Sequence, residues 1–254
     1  MIEVTNNICK MVKSLDERKT RKKEGLFKAE GTKCVTDTLD YFRLRYLIAT
    51  TDWIESHLDI LSRIHSENVM KCHKREMARI SSLSTPPEVV AIYEIPERIL
   101  SENCAKDNIV LALDTIQDPG NLGTIIRVAD WFGITDIICS RETADCYGPK
   151  VIQATMGAIS RVSVHYCDLP ATISRLETDG VYGTFLDGDS ITDATLTNTG
   201  IVIIGNEGNG ISESVEKTVT HRLLIPSYPP ERPTGESLNA AIATAITLAK
   251  FRRI

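Results

Sequence analysis

The sequence has no apolar run long enough to span a bilayer, which excludes a helical membrane anchor. Its first stretch, "MIEVTNNICKMVKSLDERK", lacks the apolar core of a secretory signal peptide, so a cytoplasmic location is the expectation. There is no C-x-x-C pair. The seven cysteines stand at 9, 34, 72, 104, 139, 146 and 167, odd in number and scattered. That pattern argues against a disulfide framework and against a cysteine zinc site. The neighbours Cys72 and His73 read as incidental, and structural thiols in a reducing compartment are the better account. No metal is expected. The phosphate-cradling signature G-x-x-x-x-G-K-S/T is missing, and no glycine-rich turn follows an early strand. A nucleotide-dependent enzyme is disfavoured on both counts. Neither an internal repeat nor a low-complexity segment is found.

What is present is ordinary in bulk and uneven in detail. The chain has 254 residues, 42% hydrophobic and 25% charged, enough for one large domain or two small ones. The net charge of −5 does not by itself suggest nucleic acid. Residues 1–33, however, hold nine Lys or Arg against five Asp or Glu, and the remaining chain carries −9. A basic end on an acidic body points to a local electrostatic contact rather than general polyanion affinity.

The two halves differ in grammar. Residues 1–104 mix helical and strand signals. "CVTDTLDYF" has helical spacing, "YLIAT" reads as a strand, and "WIESHLDILSRI" predicts an amphipathic helix with Ile54, Leu58 and Leu61 on one stripe. "STPPEVVAIYEIP" ends a helix at Pro86-Pro87 and opens a strand at "VVAIY". The polar "ENCAKDN" reads as a linker. From residue 109 the pattern is regular. "IVLALD", "DIICS", "RVSVHY", "VYGTFLD", "GIVIIG" and "RLLIP" alternate with helical segments, which predicts an α/β domain with a parallel sheet covered on both faces.

Three stretches past strand ends could carry chemistry. In "DPGNLGTIIRVADWFGI", Asn121 is a candidate helix cap, Leu122, Ile125, Ile126, Ala129 and Phe132 make an apolar stripe, and Gly133 can end the helix. Arg127 projects away from that stripe. Alone it reads as a solvated arginine, but its place is also suited to gripping a phosphate. In "IVIIGNEGNGIS", glycines 205, 208 and 210 follow a strand directly, and Glu207 has no evident structural task. A tight Asn-Gly turn is the plain alternative. In "RLLIPSYPPERPTGESLNAAIATAITLAK", Ser237 and Asn239 stand at the mouth of a helix with almost no polar face. Capping alone would account for them. A helix so apolar must be covered by its own chain or by a second copy.

Taken together, each just past a strand's C-terminal end where α/β sheets bind ligands, the three resemble the SpoU (TrmH-like) RNA 2′-O-ribose methyltransferases of the SPOUT class. The matching residues are Asn121, Gly123 and Arg127, then Gly205, Glu207, Gly208 and Gly210, then Ile225-Pro226 and Ser237-Leu238-Asn239. The resemblance covers residues 108–254 strongly. More weakly, "SLDERKTRKKEGLFKAEGTKCVTDTL" and "LSTPPEVVAIYEIP" are similar to the family's small α+β substrate-binding domain, which resembles RNA-binding ribosomal proteins.

The resemblance implies an RNA-binding domain over 1–104 and a methyltransferase domain over 105–254 with a deep trefoil knot. It also implies S-adenosylmethionine as cofactor, an obligate homodimer through the C-terminal domain, and ribosomal RNA of the large subunit as the favoured substrate. Transfer RNA, or a non-catalytic RNA-binding role on the same fold, are the alternatives. By the same resemblance Arg127 helps activate the ribose hydroxyl, with Asn121, Glu207, Ser237 and Asn239 orienting it. Gly205, Asn206, Gly208, Ile225 and Leu238 are expected to hold the cofactor, and Leu186 to complete the adenine pocket. RNA phosphates fall to Arg18, Lys19, Arg21, Lys22, Lys23 and Lys28. Ser227 stands where the family commonly has Met, in a longer loop stiffened by Pro229, Pro230 and Pro233.

Overall fold

A computed structural model of the protein describes residues 2–229 and 237–253. Pro230, Pro233 and Glu236 lie outside the described residues. The chain divides into two compact units. One holds the chain up to Glu97 together with Asp145–Ser160, and the other holds Arg98–Ala144 and the chain from Arg161 onward.

The first unit is built on a mixed sheet. Its strands are β1 (Ile2–Glu3), β2 (Leu26–Glu30), β3 (Leu44–Thr50), β4 (Val69–Cys72) and β5 (Val89–Glu94), in the spatial order β1-β4-β3-β5-β2. β1, β4 and β3 run parallel, and β5 is antiparallel to both β3 and β2. Val89 to Tyr93 of β5 are fully buried, which is why this apolar run reads clearly as a central strand. The segment 145–160 joins this unit for identifiable reasons. Its helix Pro149–Thr155 packs on β2, the Tyr147 ring lies 4.7 Å from that of Phe27, and Asp145 pairs with Arg21 at 2.6 Å. A boundary set at 104/105 from sequence does not anticipate this segment.

Two details differ from the sequence expectation. The stretch "WIESHLDILSRI" is not one helix but two, Thr51–Ser56 and Leu58–Leu61, broken at His57. The His57 ring stacks on Trp53 at 4.3 Å, and its Nδ1 pairs with the Trp53 carbonyl at 2.9 Å, so Leu58 falls off the buried stripe and is 65% exposed. The helix before Pro86-Pro87 ends sooner, spanning Lys74–Ile80.

The basic run divides into exposed and buried cations. Arg18, Lys19, Lys22 and Lys23 are exposed on or beside the turns of helix Arg18–Glu24. Arg21 and Lys28 are not available to RNA, which corrects their assignment. Arg21 is 4% exposed and donates to Asp145 and to the carbonyls of Leu15 and Asp16. Lys28 is 1% exposed and contacts Asp16 at 2.8 Å, Glu30 at 3.1 Å and the Ile80 carbonyl at 2.7 Å. Burial would raise the Asp16 carboxyl, but hydrogen bonds from Lys28, Ser82 and Lys13 hold it below the ordinary carboxylate range. Both cations serve the interior of this unit.

The second unit is an all-parallel sheet of six strands. They are β6 (Ile109–Leu113), β7 (Asp136–Cys139), β8 (Ser163–Tyr166), β9 (Val181–Ser190), β10 (Gly200–Ile204) and β11 (His221–Leu224), ordered β11-β9-β10-β6-β7-β8. Every residue of β6 and β10 is buried, as continuous apolar runs in the middle of a covered sheet require. "ENCAKDN" is part of this unit rather than a linker. It forms the helix Cys104–Asp107, whose Ala105 is fully buried in the core. Five of the seven cysteines are buried, and burial pushes the Cys34 thiol up to about 11 and the Cys72 thiol up to about 12.

Candidate active site

The site grows from the C-terminal ends of β6 and β10. After β10 the chain must turn within contact distance of itself. A Cβ at Gly205 would sit 2.4 Å from the Gly210 carbonyl carbon, so only glycine fits. Asn206 and Gly210 close the loop through reciprocal backbone bonds of 3.0 and 2.8 Å. The Asn206 Oδ1 accepts from the amides of Gly208 (2.9 Å) and Asn209 (3.1 Å), and its Nδ2 donates to the Thr115 carbonyl at 2.9 Å. The tight Asn-Gly turn is therefore real, and it is tied to the loop after β6. Asp114, at the end of β6, fastens the far side by accepting from the Ser212 amide at 2.7 Å.

The helix after β6 spans Pro119–Trp131, and its cap is Asp118 rather than Asn121. Asp118 accepts from the Asn121 amide at 2.8 Å, and Pro119 takes the first helical position, where its missing N–H costs nothing. This shift releases the Asn121 side chain for another use. Its Nδ2 donates to Glu207 Oε1, and its Oδ1 accepts from Asn239 Nδ2 at 2.8 Å. Asn239 is the cap of the last helix, Ala240–Phe251, and its Oδ1 accepts from the amides of Ala241 and Ile242. The Ser237 hydroxyl donates to the Glu207 carbonyl at 3.1 Å. Three of the five side chains expected to be catalytic thus form one directional chain, with Ser237 bonded to the backbone of its last member, although Asn121 stands 86 residues from Glu207 and 118 from Asn239.

Beside this chain lies a cleft of about 740 Å³. Leu186, Gly205, Asn206, Gly208, Ile225 and Leu238, the residues expected at the cofactor, all line it. Arg127 stands apart. It is exposed, does not line the cleft, and has no hydrogen bond or ion pair among the described residues. It lies six residues along the helix from Asn121, about 9 Å of axial rise, and one turn before Trp131, which is 83% exposed.

A family model for SpoU rRNA methylases matches residues 108–249 of the chain, and a model for MRM3-like substrate-binding domains matches residues 6–91. The chain belongs to the SpoU rRNA methylase family. It is similar to a 23S rRNA (guanosine(2553)-2′-O)-methyltransferase of Bacillus subtilis strain 168, at 29% identity over 246 residues and 94% of each chain. Among solved structures it matches a TrmH-family protein from Porphyromonas gingivalis at 38% identity and a TM-score of 0.86, covering 98% of both chains. An AdoMet-bound rRNA methyltransferase from Sinorhizobium meliloti matches at 28% identity and a TM-score of 0.84, over 100% of this chain and 97% of that one.

Several residues of this SpoU-family site carry no sequence signal. Asp114 and Ser212 meet across 98 positions, and nothing in either motif points to the other. Phe185 and Glu216 also line the cleft. Phe185 is the neighbour of Leu186 on β9, and strand alternation would put the two on opposite faces, yet both line the cleft. The last helix, expected to be covered by its own chain or by a second copy, exposes Ile242 (52%) and Ile246 (39%) on the single chain, alongside Leu238 (47%) just before it.

Proposed function

We propose that this SpoU-family chain transfers a methyl group from S-adenosylmethionine to a ribose 2′-oxygen of ribosomal RNA, with the large subunit favoured. The observation that carries this reading is the hydrogen-bonded chain Asn239–Asn121–Glu207 with Ser237, set beside a cleft at the C-terminal edge of a parallel sheet. Two of the relatives named above, those of Bacillus subtilis and Sinorhizobium meliloti, are rRNA methyltransferases by their own descriptions, which favours rRNA over transfer RNA. An intact set of Asn121, Glu207, Ser237 and Asn239 disfavours a role in RNA binding alone. The reaction belongs in the cytoplasm on this reading. No described helix is long and apolar enough to cross a membrane.

The cleft suits the cofactor. The backbone at Gly205 is bare of side chain, Ile204, Leu224 and Ile225 offer an apolar floor, and Glu207 and Glu216 add acceptors. When bound, S-adenosylmethionine supplies an electrophilic methyl group on a sulfonium. The chain's own residues then have two tasks. Asn121 and Asn239 fix the Glu207 carboxylate so that it can orient the ribose. A guanidinium is a very poor base, so Arg127 is not cast as the proton acceptor. It can grip a phosphate through its planar fork and stabilise charge on the 2′-oxygen. Calorimetry on chelator-treated protein should detect S-adenosylmethionine binding. Absence of binding at millimolar cofactor would end the enzyme reading.

The chain acts as a homodimer through its C-terminal part on this reading. Ile242 and Ile246 present an apolar face one helical turn apart, and Trp131 is exposed on the helix that packs against theirs. Arg127 sits one turn from Trp131, so it borders the face a second copy would cover. Light scattering should therefore give twice the 28.1 kDa of one chain, and Ile242→Glu should yield a monomer without activity. A wild-type monomer at micromolar concentration would contradict the shared site.

The remaining assignments follow the same reading. Residues 1–104 hold the RNA and 105–254 carry the chemistry. The C-terminal loops form a trefoil knot, supported by β11 pairing beyond β9 and by the last helix returning to pack on Pro119–Trp131. Tracing the chain from 226 to 240 in a crystal structure would test the knot.

A further inference from the structure

We propose that Arg222 is a positioning residue for the cofactor, fixing the Phe185 ring and the Glu216 carboxylate as one wall of the cleft. The proposal rests on the methyl-transfer reading above and adds to it a residue that is not among the matching positions of the three motifs.

The Arg222 guanidinium carbon lies 3.6 Å from the centroid of the Phe185 ring. Its Nη1 donates to Glu216 Oε1 at 2.5 Å, and its Nη2 donates to Asp187 Oδ1 at 2.5 Å. Phe185 and Glu216 line the cleft, while Arg222 and Asp187 do not. One side chain therefore ties a ring and two carboxylates together from outside the lining. The register of β11 against β9 shifts between Arg222 and Leu223, an irregularity of the kind that re-aims a side chain.

Gly183 provides independent support. A Cβ there would stand 2.6 Å from Phe185 Cε2 and 3.0 Å from Val219 Cγ2. The ring thus lies back over a strand position that only glycine leaves open, two residues away on the same face. Between Gly183 and the guanidinium, the ring has little freedom to turn. A flat apolar wall beside Ile204, Leu224 and Ile225 suits a flat ligand group, and the purine is the flat group of S-adenosylmethionine. Only a planar fork can stack on a ring and pair with two carboxylates at once, and a lysine ammonium cannot. The Arg222 side chain is 37% exposed, so its ion pairs contribute little to global stability, and the consequence of losing them should be local.

The test uses full-length protein titrated with S-adenosylhomocysteine, followed by steady-state assays. Arg222→Leu and Arg222→Lys should each weaken binding about tenfold. KM for S-adenosylmethionine should rise in step and by more than any fall in kcat, while KM for RNA and the thermal midpoint stay put. Phe185→Leu should weaken binding similarly, and the double variant with Arg222→Leu should be little worse than either single one. If wild-type protein binds the probe and both Arg222 variants bind it within twofold as well, the proposal is overturned and the methyl-transfer reading survives. If weakened binding comes with a matching fall in thermal midpoint, Arg222 is a fold residue and the proposal is again overturned. If wild-type protein does not bind the probe, the methyl-transfer reading falls and takes this proposal with it.

Discussion

Arg127→Ala will reduce methyl transfer by at least about 10²–10³-fold while leaving cofactor affinity within about twofold. The two halves of this expectation come from different observations. Arg127 does not line the cleft, so its loss removes nothing from the cofactor's surroundings. It is also exposed and makes no ion pair or hydrogen bond among the described residues, so its loss leaves no buried group without a partner. A guanidinium without a partner among the described residues has its full set of donors available to a ribose oxygen and a phosphate. Arg127→Lys should fail nearly as badly, because a point charge does not reproduce a bidentate contact. Single-turnover assays with saturating cofactor separate binding from chemistry. Near-normal turnover in either variant would return Arg127 to the status of a solvated surface residue.

The cations of the N-terminal unit should separate into two groups by experiment. Lys28→Met should cost about 3–5 kcal/mol of stability, the range for removing one partner of a buried ion pair. Among the described residues it leaves Glu30, itself 4% exposed, with side-chain bonds only from the Ser81 hydroxyl and the Ser82 amide, and it removes a contact to Asp16. Replacing Arg18, Lys19, Lys22 and Lys23 together with Gln should leave the unfolding midpoint nearly unchanged. That variant should instead flatten the salt dependence of RNA binding by up to about one unit of slope per lost phosphate contact. Urea unfolding and RNA titrations from low to moderate salt are the two measurements. An unchanged salt slope would move the RNA to another surface, and a stable Lys28→Met would remove the buried network from the account of this unit.

Most of the strands were legible in the sequence because their physics is local. β6 and β10 are apolar along their whole length, since both their faces are covered, and so they stand out from the flanking polar loops. The start of the helix at Pro119 was less legible. Asp118 and Asn121 are both good caps three residues apart, and Pro119 decides between them by suiting the first helical position and not an interior one. The three motifs pick out segments that the structure brings together, but the sequence does not show what joins them. That Asn121 gives its two side-chain valences to Glu207 and Asn239 depends on three segments meeting in space. Charge counting failed at Arg21 and Lys28 for a similar reason. A sequence displays charge and hides burial, and the partner of Arg21 is Asp145, 124 positions away. The break at His57 was hidden because stacking on Trp53 overrides a helical period that the apolar spacing otherwise supports.

On the reading proposed above, this chain places a methyl group on a ribose 2′-oxygen of ribosomal RNA. Nucleotide-resolution mapping of 2′-O-methylation tests it most directly. Total RNA would be compared between cells carrying the wild-type chain, cells lacking it, and cells carrying Arg127→Ala. The account predicts one ribose methyl in large-subunit rRNA that is present with the wild-type chain and missing in the other two. An unchanged rRNA methylation map in all three, or a methyl that disappears from transfer RNA instead, would contradict it.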